Sequence, residues 1–426
     1  MTFKTDTDGV TDPEGFFASA DSADIRGKGD ERLDIGVLYS IAPCAAAGVF
    51  TKNAVKAAPV LDCERVLRVG GPIFGLVANS GNANACTGNQ GISDSLSMLQ
   101  TAESASGSPK DSFLVCSTGR IGDLLPMDKI TPTVKSVASR ALDGEKEGTK
   151  FSECILTSDT RKKTCTATFA VEGNTVTIGG AAKGAGMIQP NMATMLAFIT
   201  TDIAAESTVL QDLLKESVKH SFNAITVDGD MSTNDTVLIL ANGLAGNQTI
   251  RHTAKDAISK ASLALFQQAL NLVCFALAKM LVKDGEGVSR FVTVRVAGAK
   301  TNQQADAAVR SVANSSLVKT SWLGGDPNWG RIIDALGYSD ATVEENKVDI
   351  GYSAAGSSKI LYSLKAGKPT RITFERLCRA VADPEFDLHV NLNLGKGKAV
   401  MYASDLTEEY VEFNKGDVTD PASLGG

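Results

Sequence analysis

Residues 163–202 read KTCTATFAVEGNTVTIGGAAKGAGMIQPNMATMLAFITTD, and this stretch sets the expected fold. Its β-branched runs over 163–171 and 175–178 predict two strands, joined by a hairpin turn at Gly173-Asn174. A run of small residues from Gly179 to Gly186 follows and reads as a Gly-rich connection, where backbone can approach backbone or ligand closely. The connection leads toward Thr194 and a third apolar strand over 195–200. The spacing G-x-x-x-x-G-K-[ST] is absent from it, which argues against nucleotide binding.

Working outward, strands are expected at 74–78, 112–116 and 236–241. Helical periodicity is clearest over 207–222, with Val209, Leu210, Leu213, Leu214 and Val218 on one face and Ser207 as its cap, and over 255–282. Strands that alternate irregularly with helices favour an α/β layered helix-sheet sandwich over a barrel.

The chain has 426 residues, 43% of them apolar, which is ample for a large core. A net charge of −7 argues against a nucleic-acid partner, which would call for a basic patch. The eight cysteines are scattered without a C-x-x-C pair and read as reduced, buried thiols of a cytoplasmic protein. No export signal is read in the acidic first residues. The most apolar stretch, 270–282, is broken by Lys279 and is expected to be a core helix, not a membrane span.

With three histidines and no G-x-S-x-G pattern, a Ser-His-Asp triad has little support. Cys116 reads as a core thiol. The remaining route to an activated hydroxyl is an N-terminal threonine whose own α-amine, with a pKa near ~8, serves as base. That route requires the chain to be cut. Asp228-Gly229-Asp230-Met231-Ser232-Thr233 has the look of a calcium loop but lacks its glycine and closing glutamate, so no metal is expected and the segment reads as a hydrogen-bonding one.

The twenty residues from Lys183 to Asp202 resemble the signature of the ornithine acetyltransferase family, with its self-cleaving Ala-Thr junction at Ala193-Thr194. Taken alone, Ala-Thr before an apolar strand reads as an ordinary buried pair; the length of the match reverses that. Further segments resemble the family in its own order: 43–51, 78–88, 117–122, 225–236, 283–287 and 325–331.

The resemblance implies a layered fold of the ornithine acetyltransferase, N-terminal-nucleophile-like type. It implies an N-terminal piece 1–193 and a C-terminal piece 194–426, which stay associated and pair into a heterotetramer. It also implies an acyltransferase of arginine biosynthesis that moves acetyl from N2-acetyl-L-ornithine to L-glutamate through acetyl-Thr194, without a cofactor and away from membranes. Acetyl-CoA stays open as an alternative acetyl donor. Thr118 and Gly119 match the oxyanion-hole pair. Thr157, Lys183, Thr194, Glu286, Asn414 and Thr419 match substrate-binding positions, although Ser158 replaces a more usual threonine and the tail around Asn414 and Thr419 departs from the family pattern. The region 297–309 looks longer than the family's and is expected to be a surface insertion. Two alternatives stay open: an amidohydrolase or aminopeptidase using the same threonine, and an uncleaved, non-catalytic binding relative.

Overall fold

A computed structural model describes residues 1–189, 195–252 and 257–416. Its first part holds strands β1 (Thr2–Thr5), β2 (Phe16–Asp21), β3 (Ile35–Phe50), β4 (Ile73–Asn79), β5 (Phe113–Ser117), β6 (Lys163–Val171), β7 (Asn174–Lys183), β8 (Leu196–Thr201), β9 (Ile225–Thr226) and β10 (Thr236–Ala241). Helices α1 (Ala58–Val69), α2 (Gly88–Ser106), α3 (Met127–Leu142), α4 (Gly148–Cys154), α5 (Ser207–Lys219) and α6 (Ala257–Lys283) accompany them. The expected strands and both long helices form, with ends shifted by a few residues.

The described strands build a nine-stranded sheet in the order β1-β6-β7-β8-β10-β3-β4-β5, with β2 also on β3. β3 serves both halves. Its residues 35–40 pair with β2 and β4, and its residues 45–50 pair with β10. The sheet is layered on both faces. Ala197, Ile199, Val237 and Ile239 share a core with Leu210 and Leu214 of α5 and Phe266 and Val273 of α6. Phe198, Leu238 and Leu240 point the other way, into a core with Leu38, Val77 and Val134. There the Phe151 ring of α4 meets Phe198 edge-on at 5.6 Å. Each such side chain contributes about 1.5–3 kcal/mol on burial. This is the layered α/β sandwich expected from the sequence. By length and composition α6 could cross a membrane, yet its Phe266, Leu270, Val273, Leu277 and Leu281 are buried in this core.

Four local expectations are corrected. The small residues from Gly179 to Lys183 are not a connection but the second half of β7. A Cβ at Gly179 would lie 1.8 Å from the Gly9 carbonyl oxygen, and one at Gly180 would lie 2.9 Å from Leu277, so their smallness serves close layer contact. The hairpin turn is centred one residue earlier, on Glu172 and Gly173, both at positive φ. The cap position of α5 is Glu206, with no side-chain capping bond, and Ser207 lies inside the helix. The region 297–309 is no surface insertion.

That region belongs to a second, seven-stranded sheet, order β14-β13-β12-β15-β11-β16-β9. Its strands are β11 (Phe291–Ala299), β12 (Asp349–Ala354), β13 (Leu361–Lys365), β14 (Lys368–Pro369), β15 (Glu385–Asn391) and β16 (Gly397–Ser404). Helices α7 (Asn302–Asn314), α8 (Ser316–Leu323), α9 (Trp329–Gly337), α10 (Phe374–Ala380) and α11 (Glu408–Asn414) accompany it. Ala299 ends the interior strand β11, and Ala305, Ala308 and Val309 of α7 are buried in the core behind it.

Lys319 of α8 is buried and donates to the carbonyl oxygen and hydroxyl of Ser404 at the end of β16. Burial pulls its pKa down to about 7, against the opposing fields of Asp405 and Asp228. In the unfolded chain a lysine titrates near about 10.4. Between these values the unfolded state holds more protons than the folded one, so this group makes the fold more stable as pH rises through the window. The difference in unfolding free energy between wild type and K319M should therefore change between pH 7 and 10, by at most about 1.4 kcal/mol per pH unit. Urea titrations across that range check it; a difference flat with pH refutes it.

Candidate active site

The sheet gathers charge at one end. Lys163 opens β6 and Lys183 closes β7, and because Lys163 pairs in register with Ala182 the two lysines stand at the same end of adjacent strands. Both are buried, at 1% exposure. Between them lies Asp159, whose carboxylate accepts from Lys163 Nζ at 2.6 Å, from Gly184 N–H at 2.6 Å and from Thr157 N–H at 3.1 Å, with Lys183 Nζ 3.9 Å away. Burial alone would raise the Asp159 pKa; Lys183, Lys163 and the Gly184 N–H outweigh it and hold the carboxyl at about 2. Lys163 also reaches Asp284, just past α6, at 2.5 Å. Asp284 in turn takes the N–H of Thr160 at 3.1 Å and its hydroxyl.

Lys183 faces the cavity side of this cluster. Its ammonium donates to Thr157 Oγ1 at 2.7 Å and Thr118 Oγ1 at 3.1 Å. Burial lowers its pKa, against the pull of Asp159, so a negative charge brought into the cavity would favour its ammonium form. Thr118 sits just after β5, its N–H held by Asn79 O at 3.0 Å. Gly119 follows at φ +132°, and a Cβ there would lie 2.4 Å from the Gly81 backbone, so only glycine fits.

Glu286 lines the same cavity. Its Oε1 accepts from Ser158 Oγ at 2.6 Å and its Oε2 from Asn414 Nδ2 at 2.9 Å, in α11. Its carboxylate lies over Gly186, where a Cβ would come within 2.5 Å of it. Ser158, noted above for its departure from threonine, thus shares with Asn414 the orienting of Glu286. Thr118, Gly119, Thr157, Lys183, Glu286 and Asn414 all line one cavity of about 350 Å³. That volume suits a small polar molecule with charge at both ends. Lys183 is not the solvated loop residue that its sequence setting permits. Ala193, Thr194 and Thr419 lie outside the described residues.

Sequence reasoning missed several members. Asp159 makes the lysine cluster possible. Arg32 donates to the carbonyls of Leu156 and Thr157 at 2.5 and 2.8 Å and fixes the loop carrying Thr157. Tyr410 also lines the cavity, its phenol pKa raised by burial and by the carboxylates of Asp228 and Glu286. Asp228 has the hydrogen-bonding role expected of its segment, accepting the N–H groups of Met187 and Ile188 at 2.5 and 2.8 Å. Only pairing between distant segments reveals Arg32 and the second lysine of Asp159, Lys183. Among the described residues, no group of three or more His, Cys, Asp or Glu side chains is placed to hold a metal ion.

The arrangement can do acyl chemistry. A backbone turn that only glycine fits, a hydroxyl and a dry ammonium converge where a developing oxyanion or a carboxylate could be held. The Glu286 carboxylate in the same cavity can take an ammonium.

The ArgJ family model matches residues 18–417. The chain is 44% identical over 406 residues to the arginine biosynthesis bifunctional protein ArgJ of Symbiobacterium thermophilum, covering 95% of this chain and 97% of that protein. It is 43% identical to the ArgJ protein of Dehalococcoides mccartyi, with 95% and 96% covered. Among solved structures it is similar to ornithine acetyltransferase complexed with ornithine from Mycobacterium tuberculosis, at 39% identity and a TM-score of 0.41, over 44% of this chain and 98% of that one.

Replacing Lys163 with methionine would strand Asp159 and Asp284 as buried charges. K163M should lose about 3–5 kcal/mol of unfolding free energy at pH 7, measured by urea denaturation; a loss below about 1 kcal/mol would show that the cluster does not hold this end of the sheet.

Proposed function

The chain belongs to the ArgJ family, acyltransferases of arginine biosynthesis, and on that premise we propose that it moves acetyl from N2-acetyl-L-ornithine to L-glutamate through an acetyl-Thr194 intermediate. The observation that carries this reading is the cavity itself: Lys183 and Glu286 stand as opposite charges in one cavity with Thr118 and Gly119. The chain before residue 190 and after residue 194 is anchored beside it. Met187 and Ile188 are held by Asp228, and Met195 N–H donates to Asp235 at 3.1 Å.

In this mechanism the chain first cuts itself between Ala193 and Thr194, and the freed α-amine, with a pKa near ~8, serves as base for the Thr194 hydroxyl. The hydroxyl attacks the acetyl carbonyl. Thr118 and Gly119 hold the oxyanion, ornithine leaves with the proton, and the acetyl ester waits for glutamate. Lys183 takes a substrate carboxylate and Glu286 the distal ammonium, with Asn414 orienting Glu286 and Thr419 completing that end. Donor and acceptor use one cavity in turn. Acetyl-CoA as an alternative donor is a separate arm of the assay.

The two pieces, 1–193 and 194–426, would stay together because β8 lies between β7 and β10, and β10 pairs with β3. The described cysteines are all free thiols and mostly buried, in keeping with a cytoplasmic setting. Assembly of two such pairs into a heterotetramer is supported by the resemblance.

Intact-mass spectrometry of the denatured protein tests the reading. We expect two pieces split at Ala193-Thr194, with one acetyl mass added to the second by N-acetylornithine and removed by glutamate. T194A should stay a single, unacetylated chain. Acetyl loss at equal rate without glutamate would identify an amidohydrolase; a single unmodified wild-type chain would identify a binding relative. T118V should cut and still lose about 10²–10³ in kcat, read in a steady-state assay; an unchanged kcat removes Thr118 from the oxyanion site.

A further inference from the structure

The donor and the acceptor of the proposed reaction differ at one end. N-acetylornithine has one carboxylate and a distal ammonium, whereas glutamate has a carboxylate at each end. A cavity that receives both in turn needs a cation for the shared α-carboxylate, an anion for the ornithine ammonium and a further cation for the glutamate side chain. Lys183 and Glu286 supply the first two. The Glu286 carboxylate would repel the side-chain carboxylate of glutamate, so that group has to be met elsewhere.

Arg26 and Arg32 also line the cavity. Arg32 is committed to the Leu156 and Thr157 carbonyls. Its pKa is held below the ordinary value by burial first and next by the charge of Arg26, against the pull of Asp159, Asp30 and Asp34. Two guanidinium groups close enough to oppose each other make that part of the cavity attractive to an anion. Arg26 is the less committed of the two. Among the described residues its ion pair is with Asp30 at 3.4 Å, and both side chains are partly in water, at 30% and 47% exposure. An exposed pair of this kind is weak enough to open for a ligand.

The stem of Arg26 lies against Gly81, where a Cβ would meet its Cγ at 2.9 Å and its Cδ at 3.5 Å. Gly81 in turn abuts Gly119, whose own Cβ would lie 2.4 Å from the Gly81 carbonyl carbon. Arg26 therefore neighbours the Thr118-Gly119 turn, whereas Glu286 neighbours Gly186. The charges that would tell glutamate from ornithine thus belong to different parts of the cavity lining. Resting on the reading of this chain as an acetylornithine-to-glutamate transferase, we propose that Arg26 selects the acceptor, its guanidinium binding the side-chain carboxylate of glutamate with Arg32 beside it. Ornithine leaves Arg26 on Asp30 and uses Glu286 instead. The role is one of binding and involves no atom of residues 190–194.

The test acetylates the enzyme with N-acetylornithine, removes the donor, and then adds L-glutamate or L-glutamine, which has nearly the same shape without the charge. Intact mass follows gain and loss of acetyl over time for wild type, R26Q and R26K, with thermal unfolding recorded on each. R26Q keeps the Cγ and Cδ that pack on Gly81, so the fold should survive. Hydrogen bonds to charged groups contribute about tenfold or more to binding. In R26Q the preference for glutamate over glutamine should therefore fall at least about tenfold, the glutamate step should slow more than the acetylation step, and R26K should regain part of both. A smaller change in that preference overturns the proposal. An equal loss in both steps, or failure of both variants to fold, assigns Arg26 a structural role and overturns it as well. A wild-type chain that takes no acetyl, or gives none to glutamate, defeats the transferase reading itself, and this one with it.

Discussion

Asp159 is the charge on which the site depends. Two lysines at the same end of adjacent antiparallel strands would repel each other in a dry sheet edge, and each would shed its proton to avoid the cost of burial. Asp159 sits between them and answers both, while Asp284 takes the second share of Lys163. The balance goes to the ions: despite burial, Asp159 stays ionised down to about 2. Lys183 can then remain a buried cation aimed at Thr118 and Thr157, which is the condition for holding an anion in the cavity.

The same carboxylate also begins a backbone clamp. Asp159 accepts Gly184 N–H, Asp228 accepts Met187 and Ile188 N–H, and Asp235 accepts Met195 N–H. Three acidic side chains from three separate segments thus hold the chain that enters and leaves residues 190–194. Three such side-chain acceptors in sequence fix position more firmly than loop packing would. The acidic composition of the chain has a local use here that net charge does not reveal.

Much of this was legible in the sequence where the signal is local. Strands 163–171 and 236–241 follow from β-branched runs, and α5 from its apolar face. Thr118, Gly119, Thr157, Lys183, Glu286 and Asn414 came from family segments, and the fold brings them to one cavity. Misreadings fall where small residues do a strand's or helix's work. Gly179 to Lys183 looks like a loop because glycine and alanine disfavour strands, yet Gly9 and α6 press against it too closely for larger side chains. Ala299, Ala305 and Ala308 disguise a buried strand and helix as an insertion. Arg32 and Asp235 had no local signal, since their partners lie far along the chain, and Asp159, though paired locally with Lys163, meets Lys183 and Gly184 only in the fold.

The topology itself bears on why a cut could be tolerated here. β7 and β8 are antiparallel neighbours, and such strands need a connection of only two residues, whereas residues 184–195 intervene. A longer path is expected where the connection has a function of its own. Its described ends leave β7 beside the lysine pair, pass Glu286 at Gly186 and return at Asp235 beside Met195. β8 stays paired with β7 on one side and with β10 on the other, and β10 with β3, so the sheet that a cut would divide in sequence is the structure that keeps its two parts in register.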